Sequence, residues 1–596
     1  MRSRSNAACR QGSGCRPGRQ AKKMTLDNIL FIDRYINSRD TDRANGEETM
    51  KPRVSQTDFD VIQIGYGPVS KFSALLLDRL GWRVGVFERF GEIFPLPRAV
   101  CIDHEIFRVM HAGGLGPIVD KVTEPAPVYR WFNAEWQELI SIDWTAGSVS
   151  GGTEVNFVHQ PSLERELDAE AKRRTNIALH FEQECVAITQ HDDHVVVRIR
   201  DTATGAERDH TARYVIGIDG ANSFVRETLG ITRSDLGFEA DWLVVDFVLS
   251  DGLTARDLGL IECGQYCNPE RPTTIVPGGI ENGQICRRWE FMRLPHETRE
   301  EMVEPAKVQE LLGDWIKPEQ GRLVRHALYT FRSLVADRWR DGRILLAGDA
   351  AHVMPPFMGQ GMCAGLRDVW NLGWKLDSVL SGAADPALLD TYQAERLPHV
   401  TDVIKASMFL GSIICIPDKD AAAERDRMFL SGEAPSPPPF PILTDGFLAR
   451  DAQGAVLAPA GELSPHGTVR RNRRTGRFDT LVAPGLVLIL TRDLPLADLD
   501  PASRRTLERL GATVVTVAGR TCATDDEVAD TQSQILPFMR ERGLNAMLVR
   551  PDLYLFGGAA DAAGLDRVLA ELDRQARQVG LLATDHVHAP QMAASA

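Results

Sequence analysis

The 596-residue chain has room for two or three domains, and its 43% apolar and 25% charged content is that of a globular protein. Net charge is −14 although the first 24 residues hold seven Lys or Arg and no acid, so the acidic body argues against nucleic acid as a partner. No run of 18 apolar residues predicts a membrane span, and ten cysteines without a CxxC pair predict reduced thiols and no zinc site.

Residues 1–57 are rich in Arg, Ser and Gly and lack an apolar h-region. They read as a disordered basic tail, not a secretory signal. The fold is expected to start at Asp58. Phe59–Ile64 reads as a buried strand, Gly65-Tyr66-Gly67-Pro68-Val69-Ser70 as a Gly-rich turn opening a helix through Leu80, and residues 83–87 as a strand ending at Glu88. This is a dinucleotide-binding layout. Gly65 and Gly67 let backbone approach a pyrophosphate, Ser70 permits close helix–strand packing, and Glu88 is placed for a ribose hydroxyl.

Residues 177–200 read as strands, and 214–221 as a buried strand stopping at Asp219-Gly220, with Ser223 and Arg226 on the helix that follows. The strand-rich region at about 236–335 reads as an antiparallel sheet inserted between Asp219-Gly220 and Gly348-Asp349. A ligand pocket forms where such a sheet meets a dinucleotide domain.

The most informative stretch is Gly348-Asp349-Ala350-Ala351-His352, Pro355-Pro356, Gly359-Gln360-Gly361 and Asp368. It follows an apolar strand at 343–347 and leads into helical spacing over 366–380. A strand ending in Gly-Asp at a Gly-rich helix start is built to hold an anion. Asp349 accepts from a ribose or ribitol hydroxyl, and the N–H groups of the helix start face a phosphate or an electron-rich ring. His159, His352 and Cys363 read as packing residues.

After about residue 400 the pattern changes. Residues 421–480 read as a linker, Pro-rich at 435–441 and Arg-rich at 470–477. Runs at 486–490, 512–517 and 546–549 read as parallel-type buried strands of a small α/β domain over 481–596. Every cofactor motif precedes it, so its expected role is structural or dimer-forming.

The GxGxxS turn, Pro97-Arg98-Ala99, Gln160 before a helix, Asp219-Gly220 and the GDAAH…PP…GQG run stand in the order of the single-component FAD-dependent aromatic hydroxylases. The chain resembles their branch around 3-(3-hydroxyphenyl)propionate hydroxylase, strongly over 58–400 and loosely beyond. The resemblance implies an α/β fold. A Rossmann-type FAD-binding domain (58–420) carries the inserted antiparallel substrate-binding sheet, and a C-terminal thioredoxin-like α/β domain follows. It implies FAD, with NADH or NADPH, and hydroxylation of a phenolic substrate by dioxygen through a flavin hydroperoxide. The best single candidate is a 3-(3-hydroxyphenyl)propanoate-like acid converted to a catechol in aromatic catabolism. The alternatives are a resorcinol-type phenol, an aromatic polyketide, or a flavin-binding scaffold without turnover.

Residue by residue, the resemblance implies Gly65 and Gly67 at the FAD pyrophosphate, Glu88 at the adenosine ribose and Arg89 near the adenine. Arg98 and Gln160 stand beside the flavin side of the cofactor, and Asp219 near both FAD and NAD(P)H. Gly348 and Asp349 take the ribityl or pyrophosphate end, with Gly359, Gly361 and Met362 at the flavin. Pro356 is the catalytic position, its carbonyl facing the substrate phenol. Cys363 stands where many relatives have Asn. A cytoplasmic homodimer with no metal completes the expectation.

Overall fold

The computed structural model describes residues 57–582, apart from 94–97, 436–437, 483–484, 523 and 525–526. The expected basic tail, but for Thr57, lies outside the described residues. So does Pro97 of the Pro-Arg-Ala turn.

Strand β1 (Phe59–Ile64) ends at Gly65, whose φ of +98° turns the chain into helix α1 (Pro68–Arg79). Pro68 suits this start because the first helical N–H has no intrahelical acceptor to lose. The buried face of α1, including Phe72 and Leu75, packs into the main core. Strand β2 (Val84–Phe87) follows. Helix α2 (His104–Ala112) is capped by Asp103, whose carboxylate accepts from the Ile106 N–H at 2.9 Å. Helix α3 (Gln160–Ala171), strand β3 (Ile177–His180) and strand β4 (Glu207–Gly217) complete the first part.

Strands β5 (Arg233–Leu249), β6 (Thr273–Glu281), β7 (Gln284–Met292) and β8 (Gly321–Ala336) form the expected antiparallel insertion. Segments outside 236–335 extend it. The hairpin Tyr129–Phe132 with Glu138–Ile142 joins by parallel pairing to Gly264–Tyr266, and His352–Val353 pairs with the end of β8. Alternation assigns the two faces. Leu243, Val245, Phe247 and Trp289 pack with Met302 and Val308 in one cluster. Trp242 packs against Phe357 in another, on the opposite face.

Strand β9 (Ile344–Leu346) joins the first sheet. Arg340–Asp341 pairs antiparallel with β9, and Val195–Asp201 with Gln183–Gln190 adds antiparallel strands beside β4. The parallel part runs β9-β4-β1-β2-β3. This is the Rossmann-type core. Helices α4 (Gly361–Leu380) and α5 (Asp390–Ile414) follow.

The stretch 421–480, expected as a linker, is more structured than that. It holds most of the helix Lys419–Ser431 and the hairpin Thr468–Arg471 with Arg474–Arg477, which extends the C-terminal sheet. That sheet contains β10 (Val487–Thr491), β11 (Thr513–Ala518), β12 (Ala546–Val549) and β13 (Leu555–Ala559), with helices α6 (Pro501–Arg509) and α7 (Ala562–Gln578). β10 and β11 are parallel, but β12 runs antiparallel to β10 and to β13. The expectation of a parallel β12 is thus corrected: a strand buried on both faces reads as one apolar run in either direction. Among the described residues, no single helix is long and apolar enough to cross a membrane.

Candidate functional site

The turn after β1 is a point of close backbone approach. A Cβ on Gly65 would lie 2.5 Å from the Ile218 carbonyl oxygen and 2.8 Å from Asp219 Cα. Glycine alone lets β1 meet the end of β4 there. Gly67, the N-cap of α1, faces the other way: a Cβ on it meets nothing within 4 Å. Glu88 braces the turn, accepting from the N–H groups of Tyr66 at 2.8 Å and Phe90 at 3.0 Å. Gly65, Gly67, Glu88, Arg89, Arg98, Gln160 and Asp219 line one cleft. Ser70 does not. It is fully buried, and its hydroxyl is hydrogen-bonded to the Gln63 amide at 2.8 Å, so it serves helix–strand packing alone.

Gln160 fixes the loop that carries Arg98. Its Oε1 accepts from the N–H groups of Arg98 at 2.9 Å and Ala99 at 2.6 Å, and its Nε2 donates to Glu164 at 2.8 Å. Glu164 in turn pairs with Lys71 at 2.7 Å, and Lys71 donates to the Tyr66 carbonyl. A buried relay therefore joins the Gly-rich turn to the Arg98 loop. Sequence reasoning missed Lys71 and Glu164. The signal was a lone lysine inside the apolar face of α1, where an ammonium group must find a carboxylate.

Asp219 ends the β4 strand. One oxygen accepts from the Val225 N–H at 3.1 Å; the other, Oδ1, is buried without a partner. Burial raises the carboxyl pKa, against hydrogen bonds that lower it. An orphaned acceptor on a cleft that also holds two open glycine positions, Gly67 and Gly220, fits a phosphate-bearing group with hydroxyls.

The second half is organised by Asp368, fully buried on α4. Its Oδ2 accepts from the Gly348 N–H at 3.0 Å and bonds His352 Nε2 at 2.7 Å, while Oδ1 accepts from Arg396 at 3.0 Å. Arg396, the hydrogen bond with His352 and a backbone N–H hold its pKa below the usual carboxylate range despite burial. His352 is thus a packing residue, as the sequence suggested. Gly348, with φ +59°, sets the turn that presents Asp349. Asp349 is exposed at its surface, yet the protein around it raises its carboxyl pKa by desolvation. His352 and Arg98 oppose that rise, so the charge of Arg98 reaches across to this half.

The Pro356 carbonyl accepts from the Gly359 N–H at 2.8 Å, which closes a tight turn with Gly359 at φ +65°. A Cβ on Gly359 would strike Cys101 Sγ at 2.4 Å, whereas one on Gly361 meets nothing within 4 Å. The first-turn N–H groups of α4, from Gly361 and Met362, have no intrahelical acceptor. The Met362 side chain packs in the main core, so its offering is the backbone. Cys363 is fully buried, with its thiol pKa pushed well up by desolvation, and points to the Gly359 and Cys101 carbonyls.

The inserted sheet meets this loop on its inner face. There Asp246 on β5 lies between Arg288 on β7 and Arg325 on β8 in register. Both guanidinium groups donate to its carboxylate at 2.7 Å, and Arg288 also donates to the Arg98 carbonyl. Arg325 donates to the Tyr329 hydroxyl at 2.7 Å, but its buried Nη2 has no partner. His159 bonds Ser162 at 2.8 Å.

Against known proteins, residues 58–407 match the FAD binding domain family and residues 461–575 the HcaD C-terminal domain family. The chain is 34% identical to a probable NADH-specific resorcinol 4-hydroxylase of Rhodococcus jostii, over 87% of this chain and 96% of that one. It is 36% identical to a 3-(3-hydroxy-phenyl)propionate/3-hydroxycinnamic acid hydroxylase of Mycolicibacterium gilvum, over 71% and 73%. Among solved structures, aklavinone-11 hydroxylase in complex with FAD and aklavinone has a TM-score of 0.69 at 24% identity, covering 87% of this chain and 99% of that one. The flavin-dependent monooxygenase PieE, in complex with FAD and substrate, has a TM-score of 0.70 at 20% identity over the same shares.

Proposed function

The chain belongs to the family of this FAD binding domain, and on that premise we propose that it is an FAD-dependent, NAD(P)H-using monooxygenase that hydroxylates a phenolic ring. The observation that carries the reading is the union of distant motifs: the Gly65–Gly67 turn, Glu88 and Asp219 share one cleft with Arg98, and Gly65, Asp219 and Gly348 follow the ends of the adjacent parallel strands β1, β4 and β9.

When bound, FAD supplies electron transfer from NAD(P)H and the activation of dioxygen toward an electron-rich ring. The chain supplies the rest. Gly65 and Gly67 admit the pyrophosphate to the N-terminus of α1. Glu88 takes the adenosine ribose and Arg89 the adenine side. Arg98, held by Gln160, stands at the flavin side. Asp219 offers Oδ1 as an acceptor, and Asp349 accepts from a ribityl hydroxyl. The first N–H groups of α4 favour negative charge on the ring, a term of about 0.3–2 kcal/mol. Pro356 and Gly359 shape the wall where the phenol sits.

For the substrate we favour a phenol bearing a carboxylate, of the 3-(3-hydroxyphenyl)propanoate type. On the inner face, two guanidinium groups share the single carboxylate of Asp246. Glu290 stands 3.8 Å from Arg288 on the same face. Arg325 keeps a buried Nη2 without a partner, a donor that a substrate carboxylate can take. The resorcinol alternative is supported by the 34% identity that runs nearly the whole length of that relative.

The C-terminal strand order, β11-β10-β12-β13 with the last two antiparallel, supports a thioredoxin-like reading of that unit, with its boundary near residue 461. Eight free thiols among the described residues support a cytoplasmic location. Assembly as a homodimer and the lack of a nucleic-acid partner belong to the same proposal.

The test is phenol-stimulated NAD(P)H oxidation with matching dioxygen uptake, run on the acid and on resorcinol. Arg325→Met should raise KM for the acid roughly 30-fold, the scale of one charge-assisted hydrogen bond, and leave KM for resorcinol unchanged. Stimulation by resorcinol alone would remove the acid reading. Silence with both phenols would leave the aromatic polyketide and the scaffold.

A further inference from the structure

Helix α4 begins at the site and runs away from it toward the C-terminal unit. Its N-cap residue is Gln360, whose carbonyl accepts from the Ala364 N–H at 2.8 Å. The Gln360 side chain is held too: Oε1 accepts from Arg367 at 2.9 Å. Arg367 is buried and donates to Glu105 at 2.6 Å and to Asp103. The second oxygen of Glu105 accepts from the Tyr554 hydroxyl at 2.7 Å. Tyr554 lies in the segment between β12 and β13. Three hydrogen bonds therefore lead from the C-terminal unit to the N-cap of α4.

A second attachment lies one turn further along α4. Asn371 donates to Glu395 and to Asp552, both at 2.7 Å, and Lys375 donates to Glu395 at 2.8 Å. Arg550 donates to Glu395 and Asp552, each at 2.6 Å, and to the Phe447 carbonyl at 2.8 Å. Arg550, Asp552 and Tyr554 thus grip α4 from Arg367 to Lys375. An apolar docking face would hold two units together at lower desolvation cost. Buried charges with every oxygen spoken for fix a position instead, because each bond has one geometry.

We propose that the C-terminal unit positions the start of α4 for the reaction, Tyr554 acting through Glu105 and Arg367 on Gln360. Tyr554 is a positioning residue, and its action on the reaction rests on the reading that the start of α4 faces FAD. Displacement of reacting groups by about an ångström can cost on the order of 100-fold in rate, so a clamp of this kind bears on how much oxidised NAD(P)H ends as product.

The test is Tyr554→Phe in the full-length holoenzyme, which removes one hydroxyl and keeps the ring. Amide hydrogen exchange in the peptide 359–366, which contains the Ala364 amide, should rise about tenfold, the factor for one hydrogen bond to a charged group. Hydroxylated product per NAD(P)H should fall, and the visible spectrum of the bound flavin should shift at unchanged FAD content. Glu105→Gln, which takes a charge from Arg367, should move the same readouts further. A merely structural tyrosine would change exchange in the C-terminal unit and leave peptide 359–366, the spectrum and the product yield at wild-type values; that result overturns the proposal. So does raised exchange at 359–366 with wild-type product yield. If Glu105→Gln moves the readouts and Tyr554→Phe does not, the C-terminal unit is outside the relay and the proposal falls.

Discussion

The cleft at the Gly65 turn and the junction between α4 and the C-terminal unit are both rich in charge, and they are built on opposite plans. At the cleft, Arg89 and Arg98 are exposed, Asp219 keeps a buried oxygen without a partner, and Gly67 and Gly220 face open space. At the junction, the side chains of Lys375, Glu395, Arg550 and Asp552 are all 0% exposed and their charges are paired among themselves. A polar group that the protein leaves unfinished is one that a ligand can complete. A set that finishes itself is scaffold, however many charges it holds. Density of charged residues therefore does not mark the site; incomplete satisfaction does.

The largest expected effect tests the self-finished side. Glu395→Ala would leave Arg550 and Lys375 buried around a missing carboxylate that normally takes three donors on Oε2 and the Phe447 N–H on Oε1. Breaking such a set should cost about 3–5 kcal/mol, read as a lower denaturant midpoint of the holoenzyme. FAD should be released in the same transition, since α4 belongs to both regions. A loss under about 1 kcal/mol would mean that water enters the junction and the contrast with the cleft is false.

A second effect at the same seam is set by pH. His466 is buried, with Nδ1 on the Ser150 carbonyl at 3.0 Å and Nε2 3.5 Å from Asp479, itself paired with Arg108 at 2.7 Å. Burial lowers its pKa from 6.5 to about 4, against the pull of Asp479. The unfolded chain then binds a proton that the folded chain refuses. Stability is full above about pH 6.5 and falls as pH drops toward 4, by roughly 3 kcal/mol. Urea midpoints at pH 7, 5.5 and 4.5 should converge for wild type and His466→Gln as the pH falls. Parallel curves would show that this histidine does not titrate with folding. Asp479, held below the usual carboxylate range, acts in a lower window and does not imitate the effect.

The same contrast explains what could be seen in advance. The cleft and the stretch beside it were legible because their parts are local: Gly65, Gly67 and Glu88 fall within one strand–turn–helix–strand unit, and Asp349 through Gly361 within one short connection between β9 and α4. Backbone needs such as positive φ leave glycine at fixed spacing, and spacing survives in a sequence. The junction was not legible. Arg550 and Asp552 follow the apolar run at 546–549 with no mark of a partner, because Glu395 and Asn371 stand far away in the chain and pair with them only after folding. That is why the sequence predicts a structural or dimer-forming role for the C-terminal domain and no tie to α4. The hairpin 129–142 was missed from the inserted sheet for the same reason, and the direction of β12 because burial carries no sign of strand polarity. At the cleft the pair that escaped is Glu164 on its wall and Lys71 buried behind it, 93 residues apart in the chain.

The smallest effect is the sharpest comparison, since two glycines in one turn should fail in different ways. Gly65 is constrained by protein. Its φ is +98°, and a Cβ would lie 2.5 Å from the Ile218 carbonyl. Gly65→Ala should therefore destabilise the FAD-free protein by about 1–3 kcal/mol, through strain that no side-chain movement relieves. Gly67 is constrained by nothing in the chain. Its φ of −76° suits alanine, and no heavy atom lies within 4 Å of the added carbon. An alanine there is a poorer N-cap than glycine but costs less entropy on folding, and the two nearly cancel, to within about 0.5 kcal/mol. What it should lose is FAD affinity, because the methyl group takes space at the pyrophosphate. The measurement is thermal unfolding of both FAD-free variants beside FAD titration of each. Equal destabilisation of the two would show that the turn is crowded on both sides. An unchanged FAD affinity in Gly67→Ala would place the pyrophosphate elsewhere and leave Gly65 as a purely structural glycine.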